Sequence, residues 1–585
     1  MELRGRPKQA IVLKEVKKPS FECENIQEIK DFYLNDKQIE IANFISQYYV
    51  CSLGEACGIF MPFKKDTVLA DSKRVDHLKK PSLTPAQQKA FEFLVNSSSS
   101  LLFGETGSGK TEIYISLMID MLKKGKSVIF LMPEISLTPQ MEKRLKAYFG
   151  DMVAIWHSKV TKKRKEKILE SIYSGEVKVI AGARSALFLP LRDIGLIVVD
   201  EEHDSSYKSN SKPRYNARDM SLYIGKILSS KVVLGSATPS LVSYHKVKHY
   251  RLKERYVKSE REYIFEKNSN DISENIIKEL QAVLSRKKQA ILFLPTRANF
   301  KYISCFECGE IIRCPFCSVG MSLHKKLNAL KCHYCGYTQR VPNVCPSCKS
   351  EELSSFRMGT EEAKERLSQI FPDAVVEKFD RDSIKSEKRL REVLKNFNDK
   401  KIDILVGTQM LSKGHDYSDI ELSIILGIDS LLAQNDYKAR ENALSLAIQI
   451  AGRSARGGKG RVVLQTSNEE FFKKYMDDYE TFLKDELKYR EDMYPPYKKL
   501  LRILITHKDK QKAKEMMQES VDCLLKNMGD SVEMVGYGEA VIEKIAKNYR
   551  YDILLRSSSA KELLQTVSFC KKSFMQIDMD PLSFS

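Results

Sequence analysis

The sequence predicts an α/β protein with two doubly wound lobes and a cysteine-rich insertion in the second. Three observations carry that prediction. Short apolar, β-branched-rich runs alternate with helical stretches twice, in residues 100–240 and again in 290–300 and 355–470, as buried parallel strands joined by crossover helices do. Gly104-Glu105-Thr106-Gly107-Ser108-Gly109-Lys110-Thr111 fits the phosphate-binding loop of nucleoside triphosphatases. Eight of the 13 cysteines form four C-x-x-C pairs within residues 305–348.

A chain of 585 residues is too long for one core, so several domains are expected. The formal net charge of +19 favours a polyanionic partner, with nucleic acid the leading choice. No apolar run of transmembrane length and no cleavable N-terminal signal are seen, and a cytoplasmic protein is expected. In that compartment clustered cysteines mean metal chemistry. Cys23, Cys51, Cys57, Cys523 and Cys570 stand apart and read as buried thiols.

Residues 1–80 open on Arg4, Arg6 and Lys8, carry a helical apolar pattern over Ile39 to Met61, and end in a polar linker, Lys64 to Lys80. Leu83-Thr84-Pro85-Ala86-Gln87-Gln88 opens a helix, and a Gln there commonly reads the adenine edge in ATP-driven helicases. In the phosphate loop, glycines let backbone N–H groups close around an anion. Lys110 supplies a point charge for the β- and γ-phosphates, and the Thr111 hydroxyl can hold Mg²⁺. Leu101-Leu102-Phe103 reads as the strand entering the loop, and Thr111 to Lys124 as the helix whose N-terminus faces the phosphates.

Ser127–Met132, Val177–Ile180, Gly195–Val199 and Val232–Leu234 are the other strands expected in the first lobe. The third delivers Asp200-Glu201-Glu202-His203 at its C-terminal end, where open parallel sheets place ligands. Asp200 would hold Mg²⁺, and Glu201 would orient or deprotonate the attacking water. Gly235-Ser236-Ala237-Thr238-Pro239 puts hydroxyls at the next strand end, suited to passing the state of the γ-phosphate to a nucleic-acid side. The second set comprises Ala290–Leu294, Ile404–Val406, Leu422–Leu426 and Arg461–Gln465. It carries Gly407 to Asp416, including Gly414, and Gln449 to Arg456. Arg453 and Arg456, three apart, share one face of a helix, and one of them can act as an arginine finger.

The pairs are Cys305/Cys308, Cys314/Cys317, Cys332/Cys335 and Cys345/Cys348. Each places two thiolates on one side of a knuckle, and two knuckles complete a closed, structural tetrahedral site, so eight thiolates imply two Zn²⁺. An iron–sulfur cluster uses the same ligands and stays open. A hairpin-length gap from Cys317 to Cys332 favours a nested pairing, with 305/308 joining 345/348, although spacing does not fix it. His324 and His333 read as bystanders.

In order along the chain, these motifs resemble the PriA-type primosomal helicases of superfamily 2. The resemblance rests also on Leu131 to Gln140, Gly182 to Phe188, Val199 to Lys208, Arg214 to Asp219, Tyr494-Pro495-Pro496-Tyr497 and Asp578-Met579-Asp580-Pro581. It implies two RecA-like lobes, a two-zinc insertion and a C-terminal α+β domain. The domains expected are 1–80, a truncated DNA-binding segment and linker; 81–255, lobe 1; 256–300 with 355–485, lobe 2; 301–354, the zinc insertion; and 486–585, fork-binding. Residues 36–62 resemble the end of the family's first domain, whose beginning, with the winged helix, is expected to be lacking.

By the same resemblance, the activity is ATP-driven 3′-to-5′ DNA unwinding at abandoned forks, with reloading of the replicative helicase. The partners implied are forked and single-stranded DNA, single-stranded-DNA-binding protein and helicase-loading proteins; a monomer is expected. ATP-binding would fall to Gln87, Gly104, Glu105, Thr106, Gly107, Ser108, Gly109, Lys110, Thr111, Asp200, Glu201, Glu202, His203 and Gly414. The loop from Ser205 to Arg218 resembles an aromatic-rich loop coupling single-stranded DNA to hydrolysis. In it Tyr207 and Tyr215 can stack on bases, while Lys208, Arg214 and Arg218 meet phosphates. The competing readings are a fork-binding assembly platform whose ATPase only switches affinity, and an RNA remodeller.

Overall fold

The computed structural model describes every residue except 1, 4–5, 8–10, 13–16, 18–19, 21–27, 66–74, 76–77, 134–138, 255–259, 268–270, 296–302, 306, 309, 318, 325–328, 333–334, 356–357, 413–419, 435, 455–458 and 585. It divides into two compact units. The first takes in Met1–Gly104, Gly109–Pro239 and Val247–Leu252; the second takes in Glu105–Ser108, Ser240–Lys246 and Lys253–Ser585.

In the first unit, helix α1 (Asp36–Tyr48) starts at a capping box of Asn35 and Gln38. The single helical stretch expected over Ile39 to Met61 is broken after α1 and resumes as one short turn, Leu53–Cys57. Helix α2 (Pro85–Val95) begins at Thr84 with proline at its first position. Seven strands follow: β1 (Ser99–Gly104), β2 (Ser127–Leu131), β3 (Val153–Trp156), β4 (Val179–Gly182), β5 (Ile194–Asp200), β6 (Lys231–Ser236) and β7 (His249–Leu252). They form one parallel sheet in the order β7-β1-β6-β5-β2-β4-β3. Helix α3 (Lys110–Lys123) packs Ile113, Leu117 and Met118 into the core over this sheet. Helix α4 (Ala217–Leu228) buries Met220 and Ile224.

The second unit opens with the short helix α5 (Leu241–Lys246), then β8 (Glu260–Glu266), β9 (Gln289–Phe293), β10 (Val376–Phe379), β11 (Ile404–Gly407), β12 (Ile420–Ile425) and β13 (Lys459–Gln465). These six strands run parallel in the order β8-β13-β12-β9-β11-β10. Helices α6 (Ala439–Ala451) and α7 (Tyr479–Arg490) follow in the same unit. The cysteine insertion lies between β9 and β10 as two small antiparallel sheets around Ile303, Ile312, Met321 and Leu330. The C-terminal residues build a four-stranded antiparallel sheet from β14 (Lys499–His507), β15 (Val532–Ile545), β16 (Asn548–Ser557) and β17 (Met575–Met579), ordered β15-β16-β14-β17. Helices α8 (Lys510–Asn527) and α9 (Ala560–Cys570) pack against this domain.

One expectation about the cysteines needs correcting. Cys51 and Cys57 are buried thiols, but Cys523 and Cys570 are joined in a disulfide, with Cα atoms 5.8 Å apart. They are 47 residues apart in sequence, and neighbouring positions of α8 and α9 bring them together. Cys23 lies outside the described residues.

Candidate nucleotide and metal sites

The phosphate loop is built where β1 ends and α3 begins. Gly107 and Gly109 have φ of +81° and +77°, a left-handed backbone that side chains disfavour. Gly109 has a second constraint, because a Cβ there would meet Gln87 Nε2 at 2.2 Å. Gln87 is buried against the loop and completes the cap of α2: its Oε1 accepts from the Thr84 N–H at 2.9 Å. Lys110 Nζ donates to the Gly104 carbonyl at 2.9 Å. Ser108 is buried, and its N–H closes the loop on the Glu105 carbonyl at 3.1 Å.

Asp200 arrives at the end of β5. Tyr114 of α3 donates its hydroxyl to Asp200 Oδ1 at 3.2 Å, and Tyr207 donates to the Asp200 carbonyl at 2.6 Å. Burial, reinforced by the neighbouring Glu201 charge, pushes the Asp200 carboxyl up to about 7, against the pull of Lys110. A carboxylate so placed, beside a second acid and short of positive charge, suits a hard divalent cation. Gly235 on the adjacent β6 makes room for this arrangement. A Cβ there would strike the Tyr114 hydroxyl at 1.6 Å and lie 3.4 Å from Asp200 Oδ1.

Glu201 sits at φ +48° immediately after Asp200. His203 Nδ1 lies 2.7 Å from Ser236 Oγ and 3.6 Å from Glu201 Oε2. Ser236 Oγ also accepts from the Thr238 N–H at 2.9 Å. The acidic strand end and the hydroxyl-bearing turn thus meet through His203. Glu202 is buried and pairs with Arg218 at 3.3 Å.

The loop expected to present stacking aromatics has a different arrangement. Tyr207 and Tyr215 are 1% and 5% exposed, so neither offers a ring face to a base. Tyr215 packs edge-on against Phe188 at 5.0 Å, and Tyr207 spends its hydroxyl on Asp200. Lys208 lies over the Tyr49 ring at 5.5 Å, and Arg218 is held by Asp219 and Glu202. Arg214 is partly exposed, and the tip residues Asn210, Ser211 and Lys212 are exposed. Arg184 fixes the loop by donating to the carbonyls of Ser206 and Lys208 at 3.0 and 2.9 Å.

A contact that no motif announced comes from the N-terminal segment. The Tyr49 hydroxyl accepts from the Asn216 N–H at 3.3 Å, and Phe44 stacks on Tyr223 at 3.8 Å. The same segment therefore backs both the loop and α4.

In the second unit, α6 ends at Ala451 and Arg453 lies in the turn beyond it. The expected shared helix face does not extend to Arg453, because the helix stops at Gly452, where Ser454 Oγ caps the Ala451 carbonyl at 3.0 Å. Arg453 is buried; Arg456 and Gly414 lie outside the described residues.

The cysteines cluster as two sets, Cys305, Cys308, Cys345, Cys348 and Cys314, Cys317, Cys332, Cys335, each with all four sulfurs within 4.8 Å of one another. This is the nested pairing. A tetrahedral zinc–thiolate site has sulfurs about 3.8 Å apart, so both sets fit zinc. Cys305–Cys348 and Cys314–Cys335, at 3.4 and 3.6 Å, approach that spacing directly.

A phosphate loop on one parallel sheet, a paired-carboxylate strand end beside it and a second parallel-sheet unit define a two-lobed, ATP-dependent helicase. The family models agree. The DEAD/DEAH box helicase model matches residues 84–247 and the helicase conserved C-terminal domain matches 348–458. The PriA DNA helicase Cys-rich region matches 314–340, the primosomal protein N C-terminal domain 490–582, and the 3′DNA-binding domain 1–62. That last match takes in more than residues 36–62, where the sequence suggested only the end of such a domain.

The chain is 43% identical over 587 residues to the replication restart protein PriA of Helicobacter pylori strain 26695, covering 99% of this chain and 94% of that protein. It is 33% identical to the PriA of Borreliella burgdorferi, covering 94% of this chain and 88% of that protein. The PriA of Bacillus subtilis is 36% identical, covering 82% of this chain and 63% of that protein. The chain belongs to the PriA family. Among the described residues, no helix is long and apolar enough to cross a membrane.

Proposed function

We propose that this protein is the replication-restart helicase of its cell, an ATP-dependent motor that moves 3′ to 5′ on DNA and opens abandoned forks. The observation that carries the reading is the join at Asp200. The residue suited to hold the cation is tied by Tyr207 to the loop following it, and that loop is backed by the segment matching a 3′DNA-binding domain. A nucleotide would lie along Gly104–Thr111 with Gln87 beside it. Mg²⁺ would be held by Thr111 and Asp200, and water would be oriented by Glu201. Glu202 and His203 complete the acidic end, and Gly414, Arg453 and Arg456 are the further nucleotide residues in this reading.

In this reading residues 81–255, with 256–300 and 355–485, form the motor. Residues 301–354 are the zinc insertion, and 486–585 contact the fork. Arg214 and the exposed Lys212 meet the DNA backbone in the arrangement described. Tyr207, Lys208, Tyr215 and Arg218 reach it only when the loop lifts. The protein works in the cytoplasm as a monomer, with single-stranded-DNA-binding protein and helicase-loading proteins as partners.

The deciding experiment pairs ATPase with unwinding on forked DNA. Lys110→Ala should lower both by at least about 100-fold, because the charge on the β- and γ-phosphates is lost. DNA-stimulated hydrolysis by the unaltered chain without strand separation would instead make it an assembly platform.

A further inference from the structure

The long β15–β16 hairpin of the C-terminal domain ends on the inner cysteine cluster. Ile545 pairs with Asn548, leaving Ala546 and Lys547 alone in the turn, at φ +48° and +67°. A two-residue turn with positive φ at both positions favours Asn-Gly, and Ala and Lys are strained there. The strain is offset by contacts on the other side. The Ala546 N–H donates to Cys317 Sγ at 3.1 Å, and the Lys547 N–H donates to the Phe316 carbonyl at 2.8 Å. The Lys547 ammonium lies 4.7 Å from the Phe316 ring centroid, and Ile545 packs on the insertion's apolar cluster. Asn548 Nδ2 braces the turn by donating to the Ala546 carbonyl at 3.2 Å.

We propose that the Ala546-Lys547 turn is an outer-shell partner of the inner tetracysteine site, so that metal held there clamps the C-terminal domain to the cysteine insertion. The physical link is the charge on sulfur. A metal-bound cysteine is a thiolate and accepts a charge-assisted hydrogen bond, about twice as strong as a neutral one. A free thiol is only a weak acceptor. Metal therefore strengthens the clasp. In return, the Ala546 N–H eases the crowding of four thiolates on one ion, as outer-shell donors do at other metal sites. Cys317 belongs to the inner set, so the outer set, Cys305, Cys308, Cys345 and Cys348, serves as an internal control.

The proposal rests on the zinc reading, and the test separates the two. Zinc is counted by native mass spectrometry on the full chain during timed chelation, while hydrogen exchange is followed in peptides covering 303–308, 312–320 and 541–552. Exchange at 541–552 should rise at least about tenfold as the inner site empties, and remain low while only the outer site empties. Ala546→Pro, which removes the N–H and cannot hold φ +48°, opens the clasp and should release one of two zincs about tenfold faster. Replacing Ala546-Lys547 by Asn-Gly, which keeps both N–H groups, should leave release unchanged. Two bound zincs with no change in 541–552 on emptying either site would overturn the clasp alone. A chain that binds no metal overturns the zinc reading and the clasp with it. Should Ala546→Pro fail to fold, the exchange measurement on the unaltered chain decides.

Discussion

Asp200 sits between two tyrosines and beside Glu201, and in its proposed role as cation ligand its protonation would govern cation binding. Its carboxyl titrates at about 7 in the fold, against an ordinary value of 3.8. Between those values the folded chain keeps a proton that the unfolded chain has lost, so this group's contribution to stability falls as pH rises from about 4 to 7. Binding a cation needs the carboxylate. Magnesium–nucleotide affinity should therefore weaken by up to about tenfold for each pH unit below 7, with one proton released on binding. Calorimetry in buffers of different ionisation heat measures that proton, and no release at pH 6 would contradict the assignment. Tyr207→Phe removes the hydroxyl donor from the Asp200 carbonyl and should cost about 0.5–1.5 kcal/mol, read from urea unfolding. The residue types at this site were legible in the sequence. The burial of Tyr207 and Tyr215 was not, because an aromatic in a loop looks the same whether it faces a base or Phe188.

At the scale of elements, the strands of the two parallel sheets that the sequence missed share one property. In the first sheet β3 and β7 are the two edges, and in the second β8 and β10 are. Central strands, covered on both faces, read as continuous apolar runs, whereas edge strands need not. In His249-Tyr250-Arg251-Leu252 and Val376-Glu377-Lys378-Phe379 polar and charged side chains break the apolar run in mid-strand. A buried ionic knot between α6 and α7 was equally silent: Arg490 bonds Glu486 at 3.0 Å and Glu441 at 2.9 Å, and Glu441 also accepts from the Leu241 N–H at 3.3 Å. Arg490→Met takes the guanidinium from both carboxylates, leaving Glu486 only Arg440 at 3.5 Å, and should cost about 3–5 kcal/mol. Unfolding that matched the unaltered chain would show that the carboxylates find other partners. The zinc insertion stands apart from the nucleotide residues in sequence, and no cysteine belongs to them. Chelation should therefore lower unwinding more than basal ATPase, and equal loss of both would contradict that separation.

For the whole molecule, the +19 charge makes a salt test informative. If six phosphates are contacted, affinity for forked DNA should fall about 10³-fold between 50 and 200 mM salt, measured by fluorescence anisotropy. A flat response would leave the charge as mere solubility. The sequence by itself determined the chemistry: a phosphate loop, an acidic strand end, eight paired thiolates and two rounds of strand and helix. Each of these is local, set by residue types at short spacing, and short spacing survives as sequence. Only the tertiary structure decided which distant residues meet. Helix packing paired Cys523 with Cys570, the N-terminal segment came to back the loop after Asp200, and a strained hairpin turn came to rest on Cys317. These contacts join surfaces far apart along the chain, where backbone N–H groups and covered rings carry the interaction and the residue type at each position leaves little trace.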